Sequence, residues 1–126
     1  MSFRVSIAQQ TLVWQDAAAN RAHFARILAP LAGATDLVVL PELFTTGFTM
    51  KPAEFAEPAD GPTRAWLQEQ ALVLDAAVGG SVAVNDHGCY YNRFMRDQTR
   101  CWDVPQRKRD GTLFRFPRRY RGHLQR

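Results

Sequence analysis

The run Asp36-Leu37-Val38-Val39-Leu40 constrains this chain most. Four consecutive apolar residues, two of them β-branched, are too few for a helix and suit a strand covered on both faces of a sheet. Upstream, Phe3, Val5 and Ile7 alternate with Arg4 and Ser6, the period of a strand with one face buried. Between the two lies a helical pattern. Asp16 is placed to cap a helix running through Ala17-Ala18-Ala19 to about Leu31, with Phe24, Ile27, Leu28 and Leu31 as its inner stripe. Pro30 bends or ends that helix, and Gly33 lets the chain turn. Strand, helix, apolar strand is a βαβ unit, which predicts a parallel pair joined by a right-handed crossover. Phe3, Val5, Ile7, Leu37, Val38, Val39 and Leu40 are therefore expected to be buried in adjacent strands, at about 1.5–3 kcal/mol for each fully buried aliphatic side chain.

Residues 43–61 show no clear period and read as a long loop. Asp60-Gly61-Pro62 opens a second helix, with Pro62 near its first turn and Trp66, Leu67, Ala71 and Leu74 facing inward. Residues 77–84 read as a third strand. Asn85-Asp86-His87-Gly88 is turn chemistry, and residues 89–94 return as an antiparallel strand. After Met95 the periodicity fades and arginine dominates. No internal repeat is present.

A chain of 126 residues is one domain by default, and 46% hydrophobic with 11% aromatic residues is enough for a packed core. The net charge of +4 is unevenly spread. Residues 1–92 carry five Lys/Arg against nine Asp/Glu, net −4, while residues 93–126 carry eleven against three, net +8. The basic character belongs to the tail. Cys89 and Cys101 make no disulfide framework, and Met1-Ser2-Phe3-Arg4 does not start a secretory signal. No apolar run is long enough to span a bilayer. A cytoplasmic setting is expected.

Four stretches together resemble the nitrilase, or carbon–nitrogen hydrolase, superfamily, with the nearest likeness to bacterial omega-amidases of the 2-oxoglutaramate amidase kind. They are Ala8-Gln9-Gln10-Thr11-Leu12-Val13-Trp14 after the first strand, Leu40-Pro41-Glu42-Leu43-Phe44 closing the second, the loop Thr45-Thr46-Gly47-Phe48-Thr49-Met50, and Gly80-Ser81-Val82-Ala83 leading to Asn92-Arg93-Phe94. The resemblance implies an α/β fold, here the N-terminal half of an αββα sandwich followed by a basic, irregular C-terminal tail. It implies a partial hydrolase domain over residues 1–94 and an arginine-rich segment, truncated or frame-disrupted, over residues 95–126.

The resemblance also implies a chemistry: a glutamate, a lysine and a cysteine in that chain order. The cysteine thiolate attacks an amide carbonyl, the glutamate takes the thiol proton and later activates water, and the lysine holds the charge developing on oxygen. Glu42 carries over as the general base. Lys108, 66 positions later, falls at the expected separation, although its flanks are altered: Asp110-Gly111-Thr112 intervenes before Leu113-Phe114-Arg115. The nucleophile's motif has no counterpart in these 126 residues. Cys101-Trp102-Asp103 imitates it but precedes Lys108, and Cys89 reads as a small packing residue. The implied substrate is a small omega-amide such as a 2-oxo acid amide, with no metal and no organic cofactor. A homo-oligomer is compatible with the family, and neither a membrane nor a nucleic acid is the expected partner.

Two alternatives stay open. Arg107-Lys108-Arg109, Arg118-Arg119 and Arg121, interleaved with Phe114, Phe116 and Tyr120, can neutralise phosphates and stack on bases. No recognised nucleic-acid motif accompanies them. The other alternative is a structural piece that folds against a partner chain.

Overall fold

The computed structural model describes residues 2–97 and, as backbone only, residues 111–115. Strand β1 (Val5–Ile7) leads to helix α1 (Ala17–Leu28), then to β2 (Leu37–Val39). A short helix α2 (Pro52–Phe55), a two-residue strand β3 (Glu57–Pro58) and helix α3 (Pro62–Leu74) follow. Strands β4 (Ala77–Asp86), β5 (Cys89–Asp97) and β6 (Gly111–Arg115) complete the described chain. One sheet holds them in the order β1-β2-β4-β5-β6, with β3 also paired to β4. β1, β2 and β4 are parallel, and β5 and β6 return antiparallel.

The βαβ unit forms as its pattern demands. Val5 pairs with Leu37 and Ile7 with Val39. The Asp16 carboxylate caps α1 by accepting from the Ala19 N–H at 3.0 Å. Pro30 ends the α-helix early. Regular α-helix stops at Leu28, and residues 29–31 tighten into a 3₁₀ turn. Pro62 occupies the first turn of α3, as expected, and Trp66, Leu67, Ala71 and Leu74 are all buried. The side chain that caps α3 comes from β3: Glu57 accepts from the Thr63 N–H at 2.7 Å and from the Thr63 hydroxyl at 2.8 Å. At the β4–β5 hairpin only His87 and Gly88 lie between paired residues, and both have positive φ. That conformation matches the twist of the strands it joins.

Alternation along the strands separates two faces. Val38, Val78, Val82, Val84 and Met95 point to one side and pack with Phe24 and Leu28 of α1 and with Trp66, Leu67, Ala71 and Leu74 of α3. The opposite side carries Val5, Ile7, Leu37, Val39, Gly79, Ser81, Ala83, Tyr90 and Asn92 by the same alternation.

Three expectations need correction. Phe3, Val5 and Ile7 are not buried but 58%, 51% and 76% exposed. They lie on the side of the sheet away from the helices, and in the described residues no second layer covers that end of it. Leu37 and Val39 share this face and are half-buried, whereas Val38 and Leu40 are buried. Secondly, residues 43–61 are not an unbroken loop, because α2 and β3 interrupt it. Thirdly, the ordered pattern does not stop at Met95: β5 runs to Asp97, and residues 111–115 of the tail form a strand against it.

Candidate functional site

Two strands, β2 and β3, use the same edge of β4. β2 pairs at Ala77–Gly79 and β3 at Val84–Asn85. Between them the edge of β4 is met by the turn that carries Glu42. Leu40 N–H donates to the Gly79 carbonyl at 2.7 Å and Phe44 N–H to the Ser81 carbonyl at 3.3 Å. The carboxyl end of a parallel strand is where open α/β sheets place their sites.

The turn is held in an unusual conformation. Leu43 has φ +50°, a left-handed value that costs a side-chain-bearing residue about 1–2 kcal/mol. Three interactions keep it there. The Ser81 hydroxyl accepts from the buried Leu43 N–H at 2.8 Å. The Leu43 carbonyl accepts from Gly47 N–H at 2.7 Å and from Thr46 N–H at 3.2 Å. Leu43 and Phe44 are both fully buried but in different clusters. Leu43 packs with Ala83 and Tyr90 on the site side, and Phe44 reaches the helix-side core. Phe44 can do so because Gly80 lies beneath it. A Cβ at Gly80 would stand 2.7 Å from the Phe44 ring and 2.9 Å from the Leu40 Cβ.

With its neighbours anchored on both sides, Glu42 is left exposed, its carboxylate over the sheet. Asn92 of β5 donates from Nδ2 to Glu42 Oε1 at 2.7 Å. Ala83 is the register partner of Asn92 on the intervening strand, so a methyl group is all that stands between the turn and β5 at that level. Asn92 is fully buried, and its Oδ1 has no hydrogen-bond partner among the described residues. The Tyr90 hydroxyl, on the same face, is also buried without a partner among the described residues, and burial pushes its pKa up.

Of the residues singled out in the sequence, Glu42 alone is within the described site. Lys108 and Cys101 lie outside the described residues. Gly111, where β6 begins, pairs with Phe94, two residues from Asn92 on the same face of β5. Cys89 is on β5 but at odd parity to Asn92, so it faces the other side of the sheet. There it neighbours Tyr91, whose phenol is pushed up chiefly by burial and then by Cys89. Arg93 shares this side, stacked 4.9 Å from the centre of the Tyr91 ring and bonded to Asp86 at 3.1 Å. Ser81 and Asn92 had no role assigned from sequence. Both lie in the stretches that carry the family likeness, but nothing in a linear pattern shows that one reaches Leu43 and the other Glu42.

A groove of about 260 Å³ lies between the end of β1 and α1, lined by Ser6, Ile7, Gln9, Gln10, Ile27 and Leu31 among others, and includes none of the Glu42 arrangement. Among the described residues, no three His, Cys, Asp or Glu side chains are grouped to hold a metal ion, and no helix is long and apolar enough to cross a membrane.

The family model for carbon–nitrogen hydrolases matches residues 4–99, which span the whole Glu42 arrangement. The chain belongs to the carbon–nitrogen hydrolase family. It is 39% identical over 119 residues to the omega-amidase YafV of Yersinia enterocolitica, covering 94% of this chain and 42% of that protein. It is 38% identical over 92 residues to the omega-amidase YafV of Escherichia coli, covering 73% of this chain and 35% of that one. Among solved structures it superposes on XC1258 of Xanthomonas campestris, a CN-hydrolase superfamily protein, with TM-score 0.73 and 43% identity, over 76% of this chain and 36% of that one. Nit3 of Saccharomyces cerevisiae, at 22% identity and TM-score 0.64, shares the fold. This carbon–nitrogen hydrolase chain therefore spans about two-fifths of the length of the relatives it matches. Its sheet with two helices on one face is the corresponding fragment of the nitrilase fold.

Proposed function

We propose that this chain supplies the general-base part of an amidase site that hydrolyses the terminal amide of a small omega-amide, such as a 2-oxo acid amide. The observation that carries this reading is the Glu42 carboxylate, held at the carboxyl end of β2 by Asn92 and otherwise open. A carboxylate so placed can accept the proton of an attacking thiol and later that of a hydrolytic water, provided the reacting group comes within about 2.6–3.2 Å. Lys108 is proposed as the cation that steadies the developing oxyanion. The antiparallel return of β6 favours this, because its first residue, Gly111, is three positions after Lys108 and pairs with Phe94, close to Asn92 along β5. The substrate class comes from the similarity to the omega-amidases.

Neither cysteine of these 126 residues is proposed as the nucleophile. Cys89 faces away from Glu42, and Cys101 precedes Lys108 in the chain. The 126-residue chain is therefore expected to be inactive alone on glutaramate and similar amides. Turnover that survives Cys101→Ala would overturn this mechanism, and turnover abolished by Cys101→Ala would make Cys101 the nucleophile. The function itself is tested by joining the matched residues to the portion of the Yersinia omega-amidase that follows its matched segment. The joined protein should release ammonia from omega-amides, and Glu42→Gln should remove that activity. A folded, active protein indifferent to Glu42→Gln would refute the role of Glu42.

A further inference from the structure

Two asparagines are fully buried in this chain, and they are used differently. Asn20 is satisfied at both ends: Oδ1 accepts from Val13 N–H at 2.8 Å, and Nδ2 donates to the Val13 and Thr45 carbonyls, each at 2.8 Å. It ties the loop before α1 to the loop after Glu42, a structural clamp. Asn92 is equally buried, yet its side chain donates to Glu42 Oε1 at 2.7 Å and leaves Oδ1 without a partner among the described residues. An unsatisfied buried carbonyl costs about 1–3 kcal/mol, so packing alone gives no reason for an amide here. The reverse orientation of the amide would set Oδ1 against a carboxylate oxygen, which is repulsive when Glu42 is ionised.

We propose that Asn92 is a positioning residue. Its Nδ2–H group holds Glu42 Oε1 against the sheet and leaves Oε2 as the proton-accepting oxygen, turned to the open face. This deepens the proposed function and rests on Glu42 being its base. The cost of the orphaned Oδ1 is explained if the donor has to be an amide N–H: a hydroxyl at that position is too short to span from β5 across Ala83 to the turn, and a cationic side chain would need its own solvation. Ser81 works with it from β4, fixing the backbone at Leu43 while Asn92 fixes the carboxylate. The two strands thus constrain Glu42 at both ends of its side chain.

The test needs no turnover, so it stands or falls apart from the amidase reading. In isotopically labelled protein, the Glu42 carboxylate carbon and the Asn92 side-chain amide are followed by NMR from pH 3 to 8. The Asn92 Nδ2 resonances should move with the same midpoint as Glu42, and that movement should be lost in Glu42→Gln, while the Asn20 amide stays unchanged in both. Asn92→Asp puts a second carboxylate at the same position and removes the donor, so the Glu42 carboxylate carbon should shift at neutral pH in that variant. Asn92 resonances that do not move while Glu42 titrates, or that move equally in Glu42→Gln, would overturn the proposal. An unshifted Glu42 carboxylate carbon in folded Asn92→Asp would do the same.

Discussion

Asn92 Nδ2 lies 2.7 Å from Glu42 Oε1, joining β5 to the turn after β2 across 50 positions of sequence. A hydrogen bond to a charged acceptor contributes about 1.5–3 kcal/mol when shielded, and Glu42 is exposed, so the lower part of that range or less applies. A double-mutant cycle of Glu42→Ala and Asn92→Ala, read by urea unfolding, should therefore show a coupling of about 1 kcal/mol. Strict additivity of the two changes would mean that the contact does not form in solution.

Gly80→Ala should be costly although alanine is small. Its Cβ would meet the Phe44 ring at 2.7 Å and the Leu40 Cβ at 2.9 Å, and both partners are themselves buried. Overpacking of this kind costs about 1–3 kcal/mol. Phe44 must shift, and the Glu42 turn shifts with it. Thermal unfolding should show the loss, and the Glu42–Asn92 coupling should shrink in the same variant. An unchanged melting temperature would contradict the close packing of Phe44 and Leu40 on Gly80.

Tyr90→Phe should leave the fold intact and raise stability at neutral pH by about 1 kcal/mol, because it removes a buried hydroxyl with no partner among the described residues. The pH dependence follows from the raised pKa of Tyr90, which burial causes. In the unfolded chain this phenol ionises near its ordinary value, while in the folded chain it stays neutral to higher pH. Its contribution is thus fully present below about pH 10 and is lost as pH rises from there through the raised value. Stability curves from pH 8 to 11 should fall less steeply in Tyr90→Phe than in the parent. Parallel curves would show that the phenol is solvated.

Ile7→Glu should change stability little and solubility markedly. Ile7 is 76% exposed and forms an apolar row with Val5 and Phe3 beside the half-buried Leu37 and Val39. Exposed apolar sheet surface of this kind promotes association. Sedimentation of the 126-residue chain at rising concentration should show weaker self-association for Ile7→Glu than for the parent. A large loss of stability would mean that Ile7 is covered in solution.

The sequence by itself determined the main elements up to β5, without α2, β3 or β6, and the family resemblance. The 3.6-residue stripe of Phe24 and Leu28, the apolar run at Leu37–Leu40, Pro62 at the start of α3 and the Gly88 turn are local signals, each decided by sterics or hydrogen bonding within a few residues. Glu42 was singled out through the resemblance of the stretch Leu40 to Phe48 to the family's motif. What only the tertiary structure decided is which residues meet across strands and which face is covered. Alternation marked Phe3, Val5 and Ile7 as one face of a strand, but burial of that face depends on a layer that neighbouring residues in sequence do not supply. The partnership of Glu42 with Asn92, and of Leu43 with Ser81, depends on the register between strands and on the small side chain of Ala83 between them. Register is set by the packing of the whole sheet, so a pairing over 50 residues leaves no periodic trace in the chain that encodes it.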